Sequence, residues 1–421
     1  MKTTLTKSLI IVLALTTNIL FAQTFTNFSV VSTGGNLLDN NIQTIAVDQS
    51  GNRWVGTNYG ISVFNSSDIW ICNYTSIDEA TSDNDFIRDI DVDSHGNVWI
   101  GNFVSYLFKG SITKYDGVDW TTYTYDTLPG GWPVGLVNPN IYRMAVDHND
   151  NLWVATGGGI SKYNYSSSTF TNYTDSTSGL PYNVVQCVAI DNNNNKWFGT
   201  DQGLVKYDDT TWTLYTTTDG LIDNNISCVA VDINNNIWIG SGDYGVTMFN
   251  GSTWNTFTTT DGLIADGINY IACGPDGSTW FATYVGISKL KNSIWTSYTS
   301  SNGLPTDCIY FVTPEASATM WIGTVCDGGF SKCTYTSGID QIEQSTAYAV
   351  FPNPANEYIN ITFSENILNK TVELFNVMSQ KIGEFDIADG SEQITIPVKN
   401  LSEGIYFIKI GNTCKKVVVR K

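Results

Sequence analysis

The stretch Ile226-Ser-Cys-Val-Ala-Val-Asp232-Ile-Asn-Asn-Asn-Ile-Trp238-Ile-Gly-Ser-Gly-Asp-Tyr-Gly245-Val-Thr-Met-Phe249-Asn-Gly-Ser-Thr-Trp254-Asn-Thr-Phe257 decides the fold. Short runs of β-branched and aromatic residues alternate with Asp, Asn, Ser and Gly, the pattern of strands joined by tight turns. It predicts four strands: a ending at Asp232, b from Trp238, c from Gly245 and d from Trp254. The same text recurs along the chain, anchored by Trp54, Trp99, Trp153, Trp197, Trp238, Trp280 and Trp321 at spacings of 45, 54, 44, 41, 42 and 41 residues. A period of roughly 40–45 residues with four strands is one propeller blade. Seven copies predict seven blades.

A second aromatic marks strand d as Trp70, Trp120, Phe170, Trp212, Trp254 and Trp295, and none follows Trp321. Thr24-Phe-Thr-Asn-Phe28 nearly repeats the strand-d text Thr169-Phe-Thr-Asn-Tyr173. The N-terminal strand is therefore expected to close blade seven, which removes the exposed edges of an open ring. The blade aromatics are expected to pack blade on blade.

Length alone, at about 100–200 residues per domain, suggests about three domains. The chain has 21 Lys+Arg against 40 Asp+Glu, a net charge of −19, with only 14% charged residues and 13% aromatic ones. So aromatic a chain is folded. Its acidity argues against nucleic acid, which needs a positive face. The charge is unevenly spread: residues 23–344 hold 11 basic and 32 acidic side chains, a balance of −21, and residues 345–421 hold 8 and 8.

Residues 1–22 hold Lys2 and Lys7, the apolar run Leu9–Leu15, and Ala22 before Gln23. This is the plan of a secretory signal peptide cut between Ala22 and Gln23. Its apolar run is too short to span about 30 Å of hydrocarbon, and no transmembrane segment is expected in the mature protein.

The repeat text, quoted as Asp48-Gln-Ser-Gly-Asn-Arg-Trp54-Val-Gly-Thr57-Asn-Tyr-Gly60-Ile, resembles the two-component-regulator propeller repeats over about residues 24–335. In that family such propellers are periplasmic sensors of hybrid histidine kinases that bind glycan fragments. This chain carries one set of seven repeats and no kinase, so signal transduction does not carry over.

Beyond residue 345 the sequence includes Pro352-Asn353-Pro354, Leu401-Ser-Glu-Gly404-Ile-Tyr406, and a basic end with Lys415, Lys416, Arg420 and Lys421. Period-two strands predict a small Ig-like antiparallel β-sandwich. Those motifs resemble the type A sorting domain of the type IX secretion system. The resemblance implies secretion machinery and a sortase-like peptidase as partners, with a product released or held at the cell surface. The expected plan is signal peptide 1–22, all-β propeller 23–337, linker 338–345 and sorting domain 346–421.

No nucleophile, cofactor or metal pattern stands out. His95 and His148, the only histidines, fall in a–b turns. The turns Asp147–Asn151, Asp191–Asn195 and Asp232–Asn236 superficially suggest calcium loops but lack the Glu and Gly of an EF-hand; Asx-turns suffice for them. Cys326 and Cys333 flank the b–c turn of blade seven and suggest a cross-strand disulfide. Cys187 and Cys228, equivalent in adjacent blades, are either small buried residues or a bridge.

Two insertions break the repeat. Trp99 to Ile112 spans thirteen positions where Trp54 to Ile61 spans seven, adding Phe103, Tyr106, Phe108 and Lys109. A second, about 125–139, adds Tyr125 and Trp132. Both belong to connections that leave an up-and-down blade on one face, and loops on a rigid scaffold concentrate binding residues. With Arg88 and Arg143 of strands a, these residues form the candidate ligand site, for a glycan or a protein. The expected function is non-catalytic binding or adhesion outside the cell, with sensing through a separate partner as its second form. The rival is a polysaccharide or small-molecule lyase, which needs a titratable cluster at the ring centre around Arg88, Asp89 and Arg143.

Overall fold

The computed structural model describes residues 23–75, 86–104, 109–125, 135–316, 319–334, 348–363, 371–376, 381–387, 391, 393–410 and 413–420. The chain divides into two compact units, Met1–Thr336 and Ser337–Lys421. Among the described residues no helix is long and apolar enough to cross a membrane.

The first unit is a seven-bladed propeller of four-stranded antiparallel sheets. Its innermost strands a are Ile42–Val47, Ile87–Val92, Ile141–Val146, Val185–Ile190, Ile226–Val231, Tyr270–Cys273 and Ile309–Ala316. Each lies against the next around the ring, and the seventh lies against the first. Blade seven takes its outer strand from the N-terminus: Thr24–Phe28 pairs antiparallel with Phe330–Thr334, Thr24 opposite Thr334 and Phe28 opposite Phe330. The Phe28 ring stacks on Phe330 at 4.7 Å and reaches Phe64 of blade one at 6.2 Å. Charges bind the same seam. Arg53, 1% exposed, pairs with Asp68 and, at 3.5 Å, with Glu315 of blade seven; Lys332 meets Asp68 at 2.9 Å.

The anchoring tryptophans are core. In five blades the indole N–H donates to the repeat Asp six residues earlier, from Trp54 to Asp48 at 3.0 Å through Trp238 to Asp232 at 3.1 Å. Blade six substitutes the Ser278 hydroxyl and blade seven Glu315. A buried indole N–H needs such an acceptor. The same Asp also accepts turn backbone: Asp191 takes the N–H groups of Asn193 and Asn195 and the Asn195 side chain. Asp and Asn in these turns therefore hold the turn and the tryptophan.

The disulfide is not the expected one. Cys326 bonds to Cys308, with Cα atoms 5.7 Å apart, and Cys333 is free and buried. Register explains this: Cys333 stands opposite Met320 and Phe25 in mid-strand, whereas Cys326 sits in the turn beside the residues that lead into strand a. Cys187 and Cys228 are free and buried.

The second unit packs a three-stranded sheet (Tyr348–Phe351, Tyr358–Phe363, Gln393–Pro397) on a four-stranded one (Lys381–Asp386, Thr371–Asn376, Gly404–Ile410, Thr413–Val419). Ile359, Ile361 and Ile396 from one sheet and Val372, Leu374, Ile408 and Val417 from the other share its core, the arrangement of a β-sandwich. Its motif residues are partly structural. Asn353 Oδ1 accepts the Val418 N–H at 2.9 Å, Lys415 donates to the Tyr348 carbonyl at 2.7 Å, and Tyr406 Oη donates to the Ser402 carbonyl at 2.8 Å. Pro352 and Pro354 follow cis peptide bonds, Gly404 opens its strand, and Arg420 is exposed. Lys421, the expected leader up to Ala22 and the expected linker 338–345 lie outside the described residues, as does the Lys416 side chain.

Candidate functional site

Strands a bring their side chains to the axis of the ring, where a cavity of about 400 Å³ is lined by residues of all seven blades. Arg143 of blade three, outside that lining, reaches across the axis to blades six and seven. Its guanidinium lies 3.8 Å from Asp89 of blade two and donates to the Arg88 carbonyl at 3.0 Å. It also lies over Tyr270, Tyr310 and Phe311 of blades six and seven at 5.0, 5.6 and 5.5 Å. Burial opposes its charge, and Asp89 with the neighbouring tyrosines more than restores it.

The two central carboxylates also join blades. Asp89 accepts the Met144 N–H at 2.7 Å and the Thr44 hydroxyl at 3.1 Å; Asp91 accepts the Val146 N–H at 2.7 Å. Burial raises the pKa of both, against the pull of Arg143 at Asp89, and carries Asp91 to about 7. Asp91 continues into a second cavity at the a–b end, lined by Asp48, Asp93, Asp147, His148 and Asp150 among others. There Asp93, His95 and Asp150 present ligand atoms within 4.8 Å of one another. Asp150 already accepts the Ser94 N–H and hydroxyl at 2.9 Å each, and Asp93 holds Asn97 and Trp99. Asp150 thus rivets blade three to blade two, while Asp93 holds the turn and tryptophan of its own blade.

The other end of the channel, where strands a begin, carries Arg88. Its guanidinium stands 4.6 Å from the centre of the Phe86 ring and 5.6 Å from Phe103. The described ends of the two insertions meet on this face: a Cβ on Gly110 of the b–c hairpin would clash with the Pro139 carbonyl of the d–a connection. The structure thus gathers Arg88, Arg143 and Phe103, and leaves Tyr125 41% exposed at the end of strand d. Tyr106, Phe108 and Trp132 lie outside the described residues, and only the backbone of Lys109 is described, opposite Val104.

Sequence reasoning missed a second set on this face. Tyr59, Tyr244 and Tyr284 sit in the b–c turns of blades one, five and six, 50%, 60% and 56% exposed. Their signal was present as a Tyr within three residues after the Thr or Ser that ends strand b. Tyr310, beside Arg143, gave no signal, because only the ring brings blade seven against blade three.

Residues 135–158 and 220–243 match the Two component regulator propeller family, and residues 349–421 match the Secretion system C-terminal sorting domain family. The ring carries regulator-propeller repeats, and the tail is a sorting domain. With such a tail, this propeller is a secreted or cell-surface protein. No curated protein matches the chain. Among solved structures, the extracellular domain of BT3049 of B. thetaiotaomicron, described as a hybrid two component system, is 18% identical with a TM-score of 0.63, over 94% of this chain and 57% of its own. That of BT4673 from the same organism is 18% identical with a TM-score of 0.58, over 95% and 58%. A catalytically inactive virginiamycin B lyase from Staphylococcus aureus, with Quinupristin, is 15% identical with a TM-score of 0.57, over 74% of this chain and 99% of its own. The chain spans little more than half the length of the two extracellular domains, and these identities show the fold alone.

Proposed function

We propose that residues 23–337, freed of the leader and of the sorting domain, act outside the cell as a non-catalytic binding propeller. The ligand is a glycan docked over the channel mouth on the face where strands a begin. The observation that carries this reading is the set of exposed tyrosines in b–c turns, Tyr59, Tyr244 and Tyr284, on the face that holds Arg88. Their amphipathic rings offer flat apolar faces and hydroxyls at little entropic cost. Phe103 and Tyr125 extend the platform at blade two. Asp89 and Asp91 both spend acceptor capacity on backbone N–H groups between blades, which favours a structural over a catalytic role.

The lyase reading rests on Asp91, a carboxyl with a pKa of about 7 in the central cavity, since a general base works best with its pKa near the operating pH. A glycan array probed with the protein, followed by a turnover assay on each hit, separates the two. Binding without product, weakened at least about fivefold by Tyr244→Ala with Tyr284→Ala, supports the binding propeller. Product formation lost in Asp91→Asn supports the lyase. An array with no glycan bound removes the glycan reading.

A further inference from the structure

The 32 acidic side chains of residues 23–344 outnumber the 11 basic ones, which include three arginines, Arg53, Arg88 and Arg143. Arg53, Arg143, Lys196 and Lys332 all have carboxylate partners. Arg88 has none among the described residues. Its Nε is buried with no hydrogen-bond partner, although burying a polar group without an acceptor is costly. Burial, with the like charge of Arg143 close by, lowers its pKa. The fold thus places one arginine beside another and neutralises only the inner one. Asp89, which answers Arg143, is itself committed to Met144 and Thr44.

The Arg88 guanidinium is held against two rings, Phe86 at 4.6 Å and Phe103 at 5.6 Å. Such contacts leave the in-plane N–H edge for an acceptor and pre-organise the fork that suits a carboxylate or sulfate. Phe103 comes from the lengthened strand b of blade two, Val98–Val104, so the insertion supplies part of the clamp. Around it Tyr142, whose hydroxyl accepts from Asn140 at 2.8 Å, and Tyr310 bring further hydroxyls near the guanidinium.

We infer that Arg88 is the anchor for a single anionic group, a carboxylate or a sulfate, carried by an acidic oligosaccharide lying over the channel mouth. This rests on the binding reading above and names its ligand class. One charge rather than a polyanion is expected because a domain at −21 repels a long anionic chain. A sugar rather than a peptide is favoured by the tyrosine platforms on the same face.

The test uses the full chain and calorimetric titration with uronate- and sulfate-bearing oligosaccharides, their neutral counterparts (methyl-esterified or desulfated), and hexaglutamate. Acidic oligosaccharides are expected to bind at least about tenfold tighter than their neutral counterparts, the loss of one charge-assisted hydrogen bond. Arg88→Gln should remove that preference and Arg88→Lys should restore part of it. Equal affinity for acidic and neutral forms overturns the inference and leaves the glycan reading standing, and so does an undiminished preference in a folded Arg88→Gln protein. Hexaglutamate binding tighter than every oligosaccharide replaces the sugar with a peptide and overturns it. Binding of no oligosaccharide of either kind overturns both readings. The esterification arm needs no variant, so it decides even if Arg88→Gln does not fold.

Discussion

The guanidinium of Arg143 in blade three lies 5.0 Å from the centre of the Tyr270 ring in blade six, across the axis of the propeller. One side chain therefore ties blades far apart in sequence, with Asp89 of blade two answering its charge at 3.8 Å. Removing one member of a buried ion pair costs about 3–5 kcal/mol, because its partner stays buried and charged. Arg143→Ala should lose about that much in urea denaturation, and adding Asp89→Asn should recover most of it. Additive losses in the double variant would show that the two residues do not answer each other. Activity or affinity measured in Arg143→Ala alone confounds site with fold, and Arg88 is the cleaner probe.

Asp91 makes stability depend on pH. Its pKa in the folded protein is about 7, above the roughly 3.9 of a free Asp. Between those values the folded chain keeps a proton that the unfolded chain has lost. Stability then falls as pH rises from about 4 to about 7, and levels off above. Asp91→Asn should flatten that part of the Tm-against-pH curve. A variant curve parallel to the wild type from about pH 4 to 8 would falsify the assignment.

Phe28 closes the ring through its stack on Phe330 and its contact with Phe64. Phe28→Ala should cost about 3 kcal/mol, the low end for a buried Phe, because the ring is partly exposed. Deleting residues 23–28 should do more, since it bares the edge of Phe330–Thr334 and invites strand pairing between molecules. Light scattering would register the self-association. A truncated protein that stays monomeric with an unchanged melting curve would mean that the N-terminal strand is dispensable.

The Cys308–Cys326 bond joins residues 18 positions apart, which the chain-entropy argument values at about 3 kcal/mol. Reductant should lower the stability of the wild type and of Cys333→Ser by a similar amount, and leave Cys326→Ser unchanged. Loss of reductant sensitivity in Cys333→Ser would restore the pairing of Cys326 with Cys333.

Asp232 and Trp238 show why so much of the fold is legible in the sequence. Six residues apart, they satisfy each other inside one blade, so five of the seven copies spell both and the period is readable. The N-terminal strand was readable for the same reason, since Thr24–Phe28 carries strand-d text. Cys326 misled because flanking a turn does not set register: Cys333 lies opposite Met320, while Cys308 arrives from the preceding connection. The exposed turn tyrosines were visible as letters, but turn residues vary from blade to blade and only the structure shows them on one face.

The sequence by itself determined the number of blades, the donor of the closing strand, the sorting tail and the acidity of the propeller, because each follows from local patterns or from counting. The tertiary structure alone decided which cations are answered. Arg88 and Arg143 stand one repeat position apart near the start of strands a in adjacent blades; the closed ring sets Arg143 against Asp89, Tyr270 and Phe311, and leaves Arg88 beside two phenylalanines with no carboxylate among the described residues. That difference is a matter of distance across a closed ring, which no local stretch of sequence encodes.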